Sequence, residues 1–267
     1  MSAPIRPRSA LAPLEALDPI GLDELLERAA LQTRVDRKYI VPTEALADVL
    51  GDLDDASRVL QIDDRRAFAY ESVYFDSPDL VNYRAAALSR RRRSKIRTRT
   101  YVDAHESYLE VKTRGARSTT VKDRLPYDPD ARGALTPDGV EYVDGILSEA
   151  SIPGAQPDAM RSVLTTRYDR TTLFVPGSES RATIDTALEW ELEGGSILHL
   201  DDIVIVETKS GSRASDVDRL LWAHGHRPVG ISKYGTGLAA LRPDLPSSKW
   251  ARVIRRYFDT RPERSAA

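Results

Sequence analysis

"SRRRRSKIRTRTYV", residues 89–102, gathers seven arginines and lysines into fourteen positions of a 267-residue chain whose formal net charge is only −2. A basic run of this kind is either a solvated arm for polyanions or a strand that aims charge at one defined anion. Its second half alternates as a strand does. Arg93, Lys95, Arg97, Arg99 and Tyr101 fall on one parity, and Ser94, Ile96, Thr98, Thr100 and Val102 on the other. Successive side chains of a strand point to opposite faces, so the stretch predicts a cationic face backed by a largely β-branched one.

The same parity recurs elsewhere in the chain. Lys38 shares a face with Arg34 and Asp36, and Glu110, Lys112 and Arg114 alternate with Leu109, Val111 and Thr113. Lys122 shares a face with Arg124, as do Arg181, Thr183 and Asp185 with one another. In DIVIVETK, residues 202–209, Ile203, Ile205, Glu207 and Lys209 oppose Val204, Val206 and Thr208. The early part of that strand is apolar on both faces and is predicted to be buried, which leaves Glu207 and Lys209 at its end, where charges need partners or a ligand. Any one such strand is also what the solvent face of a half-buried sheet looks like. Repetition of Lys and Arg with an occasional carboxylate shifts the reading. If these faces turn inward, their mutual repulsion calls for a polyanion, and a phosphate chain matches both arginine forks and lysine point charges.

Composition sets the outer limits. With 41% hydrophobic residues the chain can build a real core, and with no cysteine it has neither disulfides nor thiolate metal sites. No apolar run is long enough to span a bilayer and no secretory signal opens the chain, so the expected location is cytoplasmic. The near-neutral net charge argues against a general nucleic-acid coat, and no nucleic-acid partner is expected.

Residues 1–20 are rich in proline and read as a flexible lead. Residues 21–267 read as a single α+β domain, a mainly antiparallel eight-stranded β-barrel with flanking helices. Helices are expected in GLDELLERAALQ, in EALADVLGDL with Thr43 as its cap, and around SPDLVNYRAAAL, GVEYVDGILSEA and SDVDRLLWAHG. In the last of these, Ser215 and Asp218 have capping-box spacing. A basic amphipathic helix, KWARVIRRYF, closes the chain.

RKYIVP, SVYFDS, KIRTRTY, LEVKT, VKDRLP, TTRYDR, RATIDT, VETKSG and ISKYG follow one another between residues 30 and 242. In this order they resemble VTC-type polyphosphate polymerase domains, members of the triphosphate tunnel metalloenzyme superfamily and relatives of the CYTH phosphatases. The resemblance implies a tunnel barrel lined with basic residues that binds ATP, triphosphate or polyphosphate with Mn²⁺ or Mg²⁺. Carried over motif by motif, it implies phosphate binding by Lys38, Arg97, Arg99, Lys112, Lys122, Arg170, Arg181, Lys209 and Lys233. Arg97, Arg99, Lys209 and Lys233 are implied to serve the transfer itself, and Glu207 to bind the metal. Arg34 stands where the CYTH pattern has a carboxylate. That favours the VTC branch and leaves Glu207 as the main metal ligand, with Glu110 or Asp185 as assistants. The SPX domain and membrane segment of the eukaryotic polymerases have no counterpart in the sequence, which implies a membrane-protein partner for any translocation.

Three readings stay open at this point: a polymerase, a triphosphate or nucleotide hydrolase using the same residues, and a binding module without catalysis. Other chemistries find little support. His224 and His226 lack the helical spacing of a metal pair, and no glycine-rich segment ends in the Gly-Lys-Ser/Thr of a phosphate loop. Arg167, on the opposite parity from Arg170, is expected to pair away from the phosphate-binding face, and Arg90, Arg91 and Arg92 to form a solvated turn or rim.

Overall fold

The computed structural model describes residues 7–28, 35–114, 120–152, 154, 156–258 and 263–264. Arg34 and residues 1–6 of the expected lead lie outside them. The strands are β1 Asp18–Ile20, β2 Val35–Pro42, β3 Arg58–Leu60, β4 Phe68–Asp76, β5 Arg93–Tyr101 and β6 Glu106–Arg114. They continue with β7 Thr120–Tyr127, β8 Arg161–Val175, β9 Ser180–Leu192, β10 Ser196–Leu200, β11 Ile203–Ser210 and β12 Glu263–Arg264. The helices are α1 Pro7–Ala10, α2 Leu22–Arg28, α3 Thr43–Gly51, α4 Val81–Ala87, α5 Pro137–Glu149, α6 Asp216–Ala223, α7 Lys233–Leu241 and α8 Ala251–Tyr257. None of these is long and apolar enough to cross a membrane.

Two compact units arise from this order. One comprises Met1–Phe68, Tyr168–Leu188 and His199–Gly230, the other Ala69–Arg167, Glu189–Leu198 and Ile231–Ala267. In the first, β11 lies between β2 and β9 and is antiparallel to both. Tyr39 and Val41 of β2, Val204 and Val206 of β11, and Ala182 and Ile184 of β9 turn one face into a core. Leu46, Val49 and Leu50 of α3 and Val217 and Leu221 of α6 cover it. Because side chains alternate along a strand, Lys38, Glu207, Lys209, Arg181 and Asp185 fall on the face turned away from that core. Ser215 and Asp218 form the expected capping box on α6. Buried Asp218 also receives hydrogen bonds from Tyr39 Oη at 2.7 Å and Thr208 Oγ1 at 2.5 Å, which ties the helix to the sheet.

Two expectations fail here. Residues 7–20 are not a loose lead: Ala10, Leu14 and Leu17 pack into the core, and β1 pairs with β3. Prolines end helices early but do not stop apolar side chains at helical spacing from being buried. Nor does Thr43 cap α3. It is the first helical residue, the cap position falls to Pro42, and Thr43 Oγ1 donates to the Asp201 carbonyl at 2.9 Å.

In the second unit, β4, β5, β6 and β7 form an antiparallel run in which each strand pairs with the next. Val73, Phe75, Ile96, Leu109 and Val111 face a second core closed by Val143 and Leu147 of α5. The opposite parity, Arg93 to Tyr101 on β5 and Glu106 to Arg114 on β6, faces away from it. Helix α7 is held to aromatic neighbours at very short range. A Cβ on Gly237 would come within 2.1 Å of Trp190 Cδ1, and one on Gly235 within 2.3 Å of Trp250 Cζ2.

The architecture is α+β with a mainly antiparallel sheet, in which β1 and β3 pair in parallel. It is not the closed eight-stranded barrel expected from sequence. The sheet has twelve strands and no ladder among the described residues joins them into a ring. Alternation specifies which side chains share a face, but ring closure depends on end strands meeting, which alternation does not determine.

Candidate phosphate-binding site

In the first unit, strand register places the charges. Glu207 of β11 sits directly opposite Lys38 of β2 and Thr183 of β9, and Lys209 sits opposite Asp36 and Arg181. Glu207 Oε2 lies 3.2 Å from Lys38 Nζ, and Oε1 lies 3.3 Å from Lys209 Nζ. Arg170 of β8 clasps Asp185 of β9 through Nε at 2.6 Å and Nη2 at 2.8 Å. The structure thus brings together Lys38, Arg170, Arg181, Glu207 and Lys209, five of the residues expected from sequence.

These charges are drawn out of water. The side chains of Glu207 and Lys209 are only 16% and 15% exposed. Burial pushes the Lys209 ammonium down to about 8; Glu207 opposes that shift, and Arg181 and Arg170 reinforce it. A cation that is partly desolvated and crowded by other cations gains most when an anion arrives.

Among the described residues, no group of three or more His, Asp or Glu side chains could hold a metal by itself. Glu207 offers one carboxylate. Across the ladder, Thr183 offers a buried hydroxyl without a hydrogen-bond partner among the described residues. Asp185, a candidate assistant, is occupied by Arg170. One carboxylate supplemented by substrate oxygens and water is a common way of holding Mg²⁺ at phosphoryl-transfer sites. The residues present therefore fit a divalent cation that arrives with phosphates and do not fit a cation caged by protein alone.

The second unit carries the other set. Arg97 donates from Nε at 2.9 Å and Nη2 at 2.6 Å to one oxygen of Glu110, and from Nη1 to Tyr74 Oη at 3.1 Å. Lys122 Nζ meets the other Glu110 oxygen at 2.5 Å. Burial by itself would raise Glu110, but Arg97, Arg99 and Lys122 outweigh it and hold the carboxyl well below the usual range. Glu110 is thereby committed to Arg97 and Lys122. Arg99 lies over the Tyr70 ring at 5.6 Å, and Arg124 over Tyr108 at 5.0 Å. Lys112 faces Lys95 on one side and Lys122 on the other. Arg97, Arg99, Lys112 and Lys122 thus share one sheet face.

Lys233 opens α7, behind the Ser232 cap, and its carbonyl accepts from Trp190 Nε1 at 2.8 Å. Arg167 pairs with Glu71 at 2.8 Å, Glu189 at 2.5 Å and Glu191 at 2.6 Å, as opposite parity led us to expect. Two residues went unassigned in the sequence. Tyr74 of β4 accepts from Arg97 Nη1 and orients it. Thr183 was placed on the charged face without a role, and its signal is that it lies between Arg181 and Asp185 on one parity.

The fold defines an α+β protein whose strands gather cations and a few carboxylates on the faces turned away from its cores. The VTC domain model matches residues 33–242, and the chain belongs to the VTC domain family. Among solved structures, a Hippeastrum protein described as an adenylyl cyclase with a dominant triphosphatase activity is 16% identical. It covers 81% of this chain and 100% of its own, with a TM-score of 0.49. A Bacillus halodurans protein named for adenylate cyclase is 11% identical over 88% of this chain and 94% of its own, with a TM-score of 0.42. Likenesses at this level assign no activity. No curated protein matches the chain significantly.

Proposed function

We propose that the chain catalyses metal-dependent transfer of a phosphoryl group from a nucleoside triphosphate, ATP, to a growing polyphosphate chain. The observation that carries this reading is the placement of Glu207 between Lys38 and Lys209 on a strand face opposite the core, with Arg170 and Arg181 beside it. Membership of the VTC domain family supports it.

In this account Lys38, Arg170, Arg181 and Lys209 bind phosphoryl oxygens, as do Arg97, Arg99, Lys112, Lys122 and Lys233. The arginines supply planar forks and the lysines point charges. Fixed cations of this kind neutralise charge on the transferred group without reorganising during the reaction. Mn²⁺ or Mg²⁺ held by Glu207 would add Lewis-acid stabilisation of the phosphate oxygens. The Thr183 hydroxyl, buried opposite Glu207, would donate to or accept from the same ligand shell.

The state of the carboxylates favours a phosphate acceptor over water. Asp185 is clasped by Arg170, and both oxygens of Glu207 face lysines, so neither is a ready base for deprotonating water. A phosphate-chain terminus already carries an anionic oxygen and needs no base, and phosphoryl transfer asks chiefly for positioning and charge neutralisation.

The test is incubation of the purified protein with ATP and Mn²⁺, with long-chain polyphosphate and free phosphate measured separately. Chain formation is the expected result. Free phosphate without chain would replace this reading by hydrolysis, and no turnover with any divalent metal would reduce the protein to a binding module.

A further inference from the structure

Two basic segments that the proposed reaction does not use lie against each other in the second unit. One is the exposed turn Arg90 to Arg92, which follows closely on α4. The other is α8 together with Lys249 and Trp250 just before it. Hydrogen bonds join the two: Lys249 Nζ donates to the Ala86 carbonyl in the last turn of α4 at 2.8 Å, and Tyr83 Oη of α4 donates to the Pro246 carbonyl at 3.0 Å. The Tyr83 and Trp250 rings lie 5.7 Å apart between the same segments. The Arg90 N–H donates to the Ala85 carbonyl at 2.8 Å, so the turn begins beside the Lys249 anchor. Helical periodicity then sorts the residues of α8. Trp250, Val253 and Phe258 are buried, whereas Arg252, Arg255 and Arg256 are exposed on the opposite side together with Lys249.

This face lacks the mixture of signs found around other exposed arginines. Arg28 meets Glu24, Arg219 meets Asp216 and Arg242 meets Asp244. Among the described residues no carboxylate pairs with Arg90, Arg252, Arg255 or Arg256. Leu88, between α4 and the turn, is 55% exposed, so an apolar side chain stands open to water beside these cations. We propose that the Arg90 turn and the outer side of α8 together dock on an anionic lipid surface. The long basic side chains reach the headgroups while Leu88 enters the interfacial region, and a cluster of this size is drawn to the negative potential of such a surface. Duplex nucleic acid would meet the same charges but would gain nothing from Leu88. The docking goes beyond the reaction proposed above and stands or falls separately from it.

The experiment is co-sedimentation of the full-length protein with vesicles of phosphatidylcholine alone and of phosphatidylcholine mixed equally with phosphatidylserine, at rising salt. The unaltered protein should bind the anionic vesicles, ignore the neutral ones, and be released as salt screens the headgroup potential. The triple variant Arg252→Gln/Arg255→Gln/Arg256→Gln should bind the anionic vesicles about 100-fold more weakly, at about fivefold per cation, with its melting temperature and tripolyphosphate affinity unchanged. Should that variant melt early, Arg90→Gln/Arg91→Gln, on a separate element, should lose about 30-fold on the same scale. Leu88→Ser should weaken vesicle binding several-fold, and duplex DNA at equal charge concentration should not displace the protein from the vesicles. No binding to anionic vesicles, equal binding to neutral ones, or full binding by a folded arginine variant overturns the proposal. Displacement by duplex DNA would assign the face to nucleic acid, and loss of tripolyphosphate affinity in the folded variants would assign it to the phosphate site; either result overturns the proposal as well.

Discussion

Arg97 and Glu110 face each other across the β5–β6 ladder, with two guanidinium nitrogens on one carboxylate oxygen at 2.9 and 2.6 Å and Lys122 on the other oxygen at 2.5 Å. Glu110 is 4% exposed, so this carboxylate is a buried counterweight to at least two cations.

Removing that counterweight should destabilise the fold. Glu110→Gln leaves Arg97 and Lys122 together without their shared anion, and loss of one member of a buried ion pair costs about 3 kcal/mol or more. The check is the urea midpoint of the variant at neutral pH. A midpoint equal to that of the unaltered protein would contradict the account.

The same group sets an acid limit. Its folded pKa is depressed below the unfolded value, so its contribution to stability is fully present above an unfolded pKa of about 4 and is lost as pH falls below it. Urea midpoints measured from pH 6 downward should decline more steeply for the unaltered protein than for Glu110→Gln, so that the difference between them narrows with acid. A constant difference would show that Glu110 does not titrate as described.

The two halves of the basic run should differ toward triphosphate. Arg99→Ala should weaken binding by about 2 kcal/mol, the scale of a charge-assisted contact removed from a poorly hydrated face. Arg90→Ala or Arg91→Ala, on exposed residues, should cost about 0.5 kcal/mol or less. Equal losses at all three positions, by calorimetry at moderate salt, would mean a diffuse patch.

The α7 glycines should be intolerant of a methyl group. Gly237→Ala drives a Cβ to 2.1 Å from Trp190 Cδ1, whereas Gly51→Ala meets nothing within 4 Å among the described residues. Overpacking of this kind costs about 3 kcal/mol. The melting temperature should fall clearly for the first variant and stay nearly constant for the second.

These cases also mark what could be read from the chain. The faces of β5, β6, β9 and β11 were legible because alternation is local and each carries a strong contrast, as in Arg97 and Arg99 against Ile96 and Thr98. Helix α7 was not, since Gly235 and Gly237 look like helix breakers. Their purpose, room for Trp250 and Trp190, depends on residues far along the chain. The order of residues 7–20 was hidden by prolines, although Leu14 and Leu17 carry the apolar spacing that buries them. The role of Tyr74 required knowing that β4 lies beside β5, and the open sheet required knowing which end strands fail to meet. Long-range pairing is the information alternation lacks.

The central claim is that Glu207 holds a catalytic metal among phosphate-binding cations, and one paired measurement on Glu207→Gln tests it most directly. Triphosphate affinity is measured without metal, and the rate of product formation from ATP is measured against Mn²⁺ concentration, on the same preparation. The substitution removes a negative charge from beside Lys38 and Lys209, so metal-free affinity should be kept or strengthened. Turnover should be abolished across the Mn²⁺ range because the metal has lost its protein carboxylate. A variant that still turns over with an unchanged Mn²⁺ dependence would contradict the account and leave Glu207 as no more than a neutralising partner of the two lysines.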